Sequence, residues 1–546
     1  VASVIDLDQP IDFAVSGIDS FDRLPKIAGA AALLDPVAAR ETLEKYFKWT
    51  PAEPGVVRLQ PRDAAADDVS GRPCMIAPSF GAAPGAARLV CGNGEKALRD
   101  LAPYLTRTMP RLTSHDDLRV EVFVRELRAV KTGVTSTPTA GGPVADDARP
   151  VDPTSALFNQ LTEKLNTDVG SLVLEASADA STVDVRLTTG FADSASPLTR
   201  ALVGAGPVAA PTPAAFDRLP GGAVFAWYGR GAAPADLAPL RKTVFDGLHA
   251  MMEDDGYTAS IASTLLAPLE RLVLTGGPWV VATGMNIDAA RVALSAYVAA
   301  GKTTQAARAA ARQAMQGWAV AEVEEPALGF IDGVREIVKS DPLKPTGKPR
   351  RVRDPQKEST QLTLATVPAA LKLPAGTLHM EAHVTQNPAW TAAQRKAKLP
   401  VTDPVIPHTL HVFVVPDGAR TWFAAAEDPA LAAREVRISL DDGAGTLKAR
   451  HDLDAFRAMP ASSAGFGSIA NLATWLLSSS SDEGLHRARE SLVGLAGLSD
   501  GGSTPVPFTL VATPRAGGAA GGDVRLTMVL PIRTVLEVAA SPHSIF

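Results

Sequence analysis

One pentapeptide occurs twice in the chain. Asp184–Thr188 and Asp523–Thr527 both read DVRLT, each in the second arm of a two-strand pattern, SLVLEASADASTVDVRLTTGF from Ser171 and FTLVATPRAGGAAGGDVRLTMVL from Phe508. The alternation is regular. Val183, Val185 and Leu187 fall on one side and Asp184, Arg186 and Thr188 on the other, while Val524, Leu526 and Met528 take the apolar side of the second copy. A period of two with one apolar face predicts strands buried on one side and solvated on the other.

Five identical residues mean little unless their neighbours agree, and they agree in order. Before the first copy lies LFNQLTEKLNTDVG, with Leu157, Phe158, Leu161 and Leu165 on one helical face; before the second lies GLHRARESLVGLAG, with Leu485, Leu492 and Leu495. Further back, VEVFVRELRAV from Val120 answers GFGSIANLATWLL from Gly465. Earlier still, CMIAP with ARLVCGNGEKALRDLAPYL answers LHVFVVPDGARTWFAAAEDPALAAREV, each a hairpin followed by a helix. The fold class expected is therefore α+β, a duplicated antiparallel sheet with helices packed on one face, the second copy enlarged by a mostly helical insertion.

A chain of 546 residues exceeds one ordinary core. The expected domains are a first α+β repeat over 1–205, a Pro/Ala-rich linker over 206–220 and a second repeat over 221–546, with an N-terminal helical extension and a basic loop at 340–358. The linker reading rests on GAGPVAAPTPAAFDRLP, Gly204–Pro220. Local signals fill in the rest. Asp35 and Asp428, each followed by Pro, read as helix N-caps, with Leu43, Tyr46 and Phe47 on the face of the first helix. Thr132–Pro153 reads as a flexible loop, and Pro416–Asp417–Gly418 as a hairpin turn. The second half also carries Ala223 to about Leu269 ahead of the part that Val1 onward matches, so residues before Val1, a leader among them, are expected.

Composition excludes more than it assigns. A net charge of −6, with 5% aromatic residues that do not interleave with the basic ones, argues against nucleic acid as a partner. No window approaches the ~18 apolar residues of a membrane span, although a lipid anchor on an upstream segment would fit. The basic stretch Lys344–Arg353 is broken by Pro and Gly and reads as a solvated loop. There is no HExxH, spaced Cys/His set, EF-hand loop, GxSxG elbow, GxGxxG or Walker A sequence, so no catalytic residue and no cofactor is assigned.

Two residue sets carry chemistry. His379, Glu381 and His383 in TLHMEAHVT share one face of a strand, with His408 and His411 close in sequence, and imidazoles with a carboxylate can ligate zinc. The plainer reading sets Leu378, Met380, Ala382 and Val384 as the buried face, leaves the His and Glu side chains to water, and expects no tightly bound metal. The other set is the cysteine pair. Folding the first hairpin about a turn between Ala82 and Ala83 places Cys74 opposite Cys91, within disulfide reach, and a disulfide implies a location outside the reducing cytoplasm.

The function expected is a non-catalytic extracytoplasmic binding or scaffold protein, a subunit of a bacterial envelope or surface assembly with protein partners. Its location would be the periplasm, the outer-membrane surface or the medium. Two alternatives stand beside it: a carrier of an apolar ligand or lipid, and a hydrolase whose site is assembled from distant residues.

Overall fold

The structure is a computed structural model. It describes residues 4–6, 9, 11–16, 26–45, 47–61, 73–79, 86–111, 117–124, 163, 167–191, 196–203, 210–254, 257–272, 276–290, 292–293, 310, 312–340, 358–396, 405–441, 443, 445–479, 504–514 and 521–540. The Thr132–Pro153 loop, the basic loop and the two amphipathic runs before the DVRLT hairpins lie almost wholly outside these residues. The chain divides into two compact units, 1–146 with 171–177, and 147–170 with 178–546. That division falls earlier than the Gly204–Pro220 segment.

The strands, in chain order, are β1 (Asp12–Ser16), β2 (Lys26–Ala32), β3 (Phe47–Glu53), β4 (Val56–Pro61), β5 (Cys74–Pro78), β6 (Ala87–Gly92), β7 (Leu118–Phe123), β8 (Val169–Ala178), β9 (Thr182–Phe191) and β10 (Phe225–Gly229). They continue as β11 (Trp279–Gly284), β12 (Trp318–Val323), β13 (Glu358–Ala365), β14 (Leu378–Gln386), β15 (His408–Asp417), β16 (Arg420–Ala426), β17 (Ser463–Gly467), β18 (Val506–Pro514) and β19 (Gly522–Pro531). Among the described residues they form a mixed α+β architecture around two antiparallel sheets. One has six strands in the order β1-β2-β6-β5-β4-β3; the other has thirteen, β13-β14-β15-β16-β12-β11-β10-β17-β18-β19-β9-β8-β7.

In the first unit the sequence signals act locally as physics requires. Asp35 caps helix α1 (Pro36–Leu43), its Oδ1 accepting from the Val37 N–H at 2.7 Å, with Pro36 at the first helical position, where no N–H is needed. The helix ends at Leu43, so Phe47, expected on its face, instead opens β3. Helix α2 (Glu95–Pro103) passes at Pro103 into a wider π turn, Tyr104–Thr108. A proline removes one backbone donor, and a π turn is a local way to accommodate the lost bond.

Helices cover both faces of this sheet, not one. On β6, Val90 packs with Ala28, Ala30 and the Leu98, Leu101 and Leu105 side of α2. Its neighbours Leu89 and Cys91 point the other way, into a cluster with Leu59, Cys74, Ile76 and α1 residues Ala39 and Leu43. Both parities of the strand are apolar, which is why a one-faced reading of the alternation fails here.

The second unit repeats this two-faced covering. Helix α3 (Pro234–Asp254) and helix α4 (Ala259–Leu272) follow β10. Helix α5 (Ala327–Ser340) sets Phe330 and Ile331 against Leu378 and Val414, with Phe330 edge-on to Phe423 at 5.2 Å. Helix α6 (Pro429–Asp441), capped by Asp428 through the Ala430 N–H at 2.9 Å, buries Leu431, Ala432 and Val436 against Val320, Phe413, Trp422 and Ala424 on the opposite face. Between β15 and β16, Gly418 takes the left-handed conformation (φ +64) that the turn demands.

Residues 210–220 do not behave as a linker. Phe216 and Leu219 are fully buried, and the Phe216 ring meets Tyr228 at 5.4 Å and Phe456 at 5.6 Å in the main core. Proline and alanine serve a tight buried connection as readily as a flexible one, and composition does not separate the two. The turn of the first DVRLT hairpin is held by Asp179, whose Oδ1 accepts from the Ser181 and Thr182 N–H groups at 2.6 and 2.7 Å; these bonds hold its carboxyl down at about 2. The two DVRLT strands, β9 and β19, are neighbours in one sheet. No helix among the described residues is long and apolar enough to cross a membrane.

Candidate functional site

β14 and β15 bring three ligand-type side chains to one point. Alternate residues of a strand share a face, so His379 and Glu381 do; Glu381 stands opposite His411 in the β14–β15 register, which puts the third side chain on that face. His379 Nε2 lies 3.1 Å from His411 Nδ1. Glu381 Oε1 lies 3.9 Å from the former and 3.5 Å from the latter.

The cluster is not left to water. His379 is 3% exposed, its ring stacked on Phe413 with centroids 4.4 Å apart, and His411 and Glu381 are partly covered. This corrects the expectation that only the even-numbered residues of β14 are buried. β14 is an interior strand between β13 and β15, and its polar face is walled by those neighbours. His379 Nδ1 is 3.4 Å from the Thr366 carbonyl oxygen. A carbonyl only accepts, so Nδ1 carries the proton and the Nε2 lone pair points toward His411 Nδ1, 3.1 Å away. Burial, aided by the neighbouring His379 ring, holds the His411 imidazole below its ordinary value against the opposing pull of Glu381.

His383, the third residue expected from sequence, occupies a second layer. Its Nε2 meets Glu381 Oε2 at 3.4 Å and the Thr363 hydroxyl at 3.0 Å, while Nδ1 meets the Thr409 hydroxyl at 3.1 Å. His408 lies apart, beside Arg312 at 3.3 Å. His411, not His383, completes the inner cluster. The signal that finds it is the pairing register of two strands, which spacing within one strand does not contain.

Elsewhere, Cys74 and Cys91 stand directly opposite on β5 and β6 and form a disulfide. A different surface lies at β1, the edge of the six-stranded sheet, where Ile11, Phe13, Val15 and the adjoining Ile27 of β2 are exposed, Phe13 at 70%. Compared with models of protein families, with curated proteins and with solved structures, the chain matches none.

Proposed function

We propose that the protein is a non-catalytic binding or scaffold subunit of a bacterial envelope or surface assembly, acting outside the cytoplasm, and that it docks an extended segment of a partner protein along β1. The observation that carries this reading is the apolar edge. An edge strand offers unpaired backbone groups to an added strand, and proteins ordinarily blunt such edges with charge, proline or a cover. β1 instead presents Phe13 and Val15.

A duplicated unit suggests what fits there. The strand order β1-β2-β6-β5-β4-β3 is that of β11-β12-β16-β15-β14-β13, and in both sets a helix follows the second and the sixth strand of the chain. Register agrees as well. Gly92, Val90 and Arg88 stand opposite Ala28, Ala30 and Ala32, as Ala426, Ala424 and Trp422 stand opposite Trp318, Val320 and Glu322. The buried positions Ala97, Leu98, Leu101, Ala102 and Leu105 recur with the same spacing as Leu431, Ala432, Glu435, Val436 and Ser439. In this correspondence β1 answers β11, and β11 is flanked by β10, an alternating strand with Phe225 and Trp227 on one face. Among the described residues β1 pairs with β2 alone. The occupant we assign is a strand of that kind, aromatic on one side. The disulfide supports an oxidising compartment.

Photo-crosslinking from position 13 in the native assembly tests this. The expected product is one adduct with an extended segment of another polypeptide, lost in Val15→Lys. An adduct pattern no different from that of exposed Val37 on α1 would overturn the docking site.

A further inference from the structure

We propose that His379, Glu381 and His411 bind one divalent transition-metal ion of the zinc type, through His379 Nε2, His411 Nδ1 and Glu381 Oε1. The three ligand atoms lie within 4.8 Å of one another. Zinc takes imidazole and carboxylate donors at ~2.0–2.2 Å, so two donors on one ion stand about 3.0–3.6 Å apart. Two of the separations in the cluster, 3.1 and 3.5 Å, fall in that range, and the third, 3.9 Å, needs only a small rotation of the Glu381 carboxylate to meet it.

What surrounds these atoms is arranged as a metal site is. The Thr366 carbonyl fixes the His379 tautomer with Nε2 as the free acceptor. His383, held by Thr363 and Thr409, grips the outer oxygen of Glu381 and aims the inner one at the imidazoles. Such outer partners orient ligands and raise their basicity. Phe413 stacked on His379 restrains the ring and supplies a dry wall. All three ligands sit on paired strands, so little order has to be created on binding.

The donor set also selects. Two imidazoles and one carboxylate suit zinc and its first-row neighbours, whereas magnesium and calcium require oxygen donors throughout. Three protein ligands leave a coordination position open, and Glu381 and His411 are 24% and 15% exposed, so a water or a small anionic ligand can reach it. The site belongs to the second half alone. In the corresponding register of β4 and β5, as matched above, Arg58 and Gln60 stand where His379 and Glu381 do. An arginine there excludes a cation.

The test is titration of the untagged, chelator-stripped chain with Zn²⁺ by calorimetry, and with Co²⁺ by its visible absorption. One ion per chain is expected. Glu381→Gln, which preserves volume, and His411→Ala should each weaken binding by more than tenfold; His383→Ala should weaken it about tenfold, as loss of an outer partner does. His451→Ala, at an exposed histidine, should change nothing. Circular dichroism of each apo variant separates loss of the site from loss of the fold. No uptake of either ion by the wild type at micromolar concentration, or uptake that survives unchanged in the folded Glu381→Gln and His411→Ala variants, overturns the site.

Discussion

Leu187 and Leu526, the fourth residues of the two DVRLT segments, stand directly opposite each other on β9 and β19. On either side Arg186 faces Thr527 and Thr188 faces Arg525, whose Nε donates to the Thr188 hydroxyl at 3.4 Å. Antiparallel pairing of identical segments in this register creates a local two-fold axis through the leucine pair. The repeated pentapeptide thus joins to itself within one sheet.

That pairing has a measurable coupling. Opposed side chains on antiparallel strands contribute about 0.2–1 kcal/mol relative to alanine pairs. In a double-mutant cycle, Leu187→Ala and Leu526→Ala should each destabilise, and the double variant should lose less than their sum by an amount in that range. Strict additivity by urea unfolding would show that the two leucines do not sense each other.

Asp12 and Arg88 form an ion pair at 2.5 Å, with side chains 11% and 4% exposed. Burial raises the Asp12 carboxyl above its ordinary value, opposed by the Arg88 guanidinium. Removing one partner strands the other charge, so Asp12→Ala should cost about 3–5 kcal/mol. Asp12→Val with Arg88→Leu should recover most of that loss, because apolar side chains of similar volume can replace a buried ion pair without stranding a charge. Chemical denaturation of the three variants decides it.

Glu322 is 1% exposed and lies 3.3 Å from Arg420, yet among the described residues neither carboxylate oxygen has a hydrogen-bond donor in good geometry. Burial is the largest influence and raises its carboxyl above 4.5; Arg420 and then Arg218 oppose it. A carboxyl raised in the folded state favours the protonated form. Its stability contribution is therefore complete below 4.5 and lost as pH rises through the higher folded value. Glu322→Gln should remove this slope and stabilise the protein at pH 7 by on the order of 1 kcal/mol, with no gain in acid. A wild type and variant whose difference does not change between acid and neutral pH would contradict it.

What was legible in the sequence is what short-range physics decides. The Asp–Pro caps at Asp35 and Asp428 and the hairpin on Gly418 depend on residues a few positions apart; the one-sided burial expected of β9 is not found, since Thr182 to Gly190 are half-buried on both faces. What was not legible depends on which strands become neighbours. Leu89 and Cys91 look like the outer side of β6 until α1 is seen to cover them. His379 looks solvated until β13 and β15 enclose β14, and His411 joins it only through their register. The same blindness made a linker of residues around Phe216.

The Cys74–Cys91 pair is the one long-range contact that symmetry about a turn was enough to find. The two residues are 17 positions apart, and closing a loop of that size in the unfolded chain is worth about 3 kcal/mol on chain-entropy grounds. Both cysteines sit in apolar packing with Leu43, Leu59 and Ile76, where small apolar side chains can take their place. A Cys74→Val and Cys91→Ala variant should therefore keep the native circular dichroism and lose about 3 kcal/mol. Its urea dependence should steepen, because an unfolded chain without the crosslink exposes more surface. The oxidised wild type, denatured without reductant, should yield no reactive thiol. Two thiols per chain, or a variant as stable as the wild type, would mean that Cys74 and Cys91 serve only as small apolar residues between α1 and the sheet.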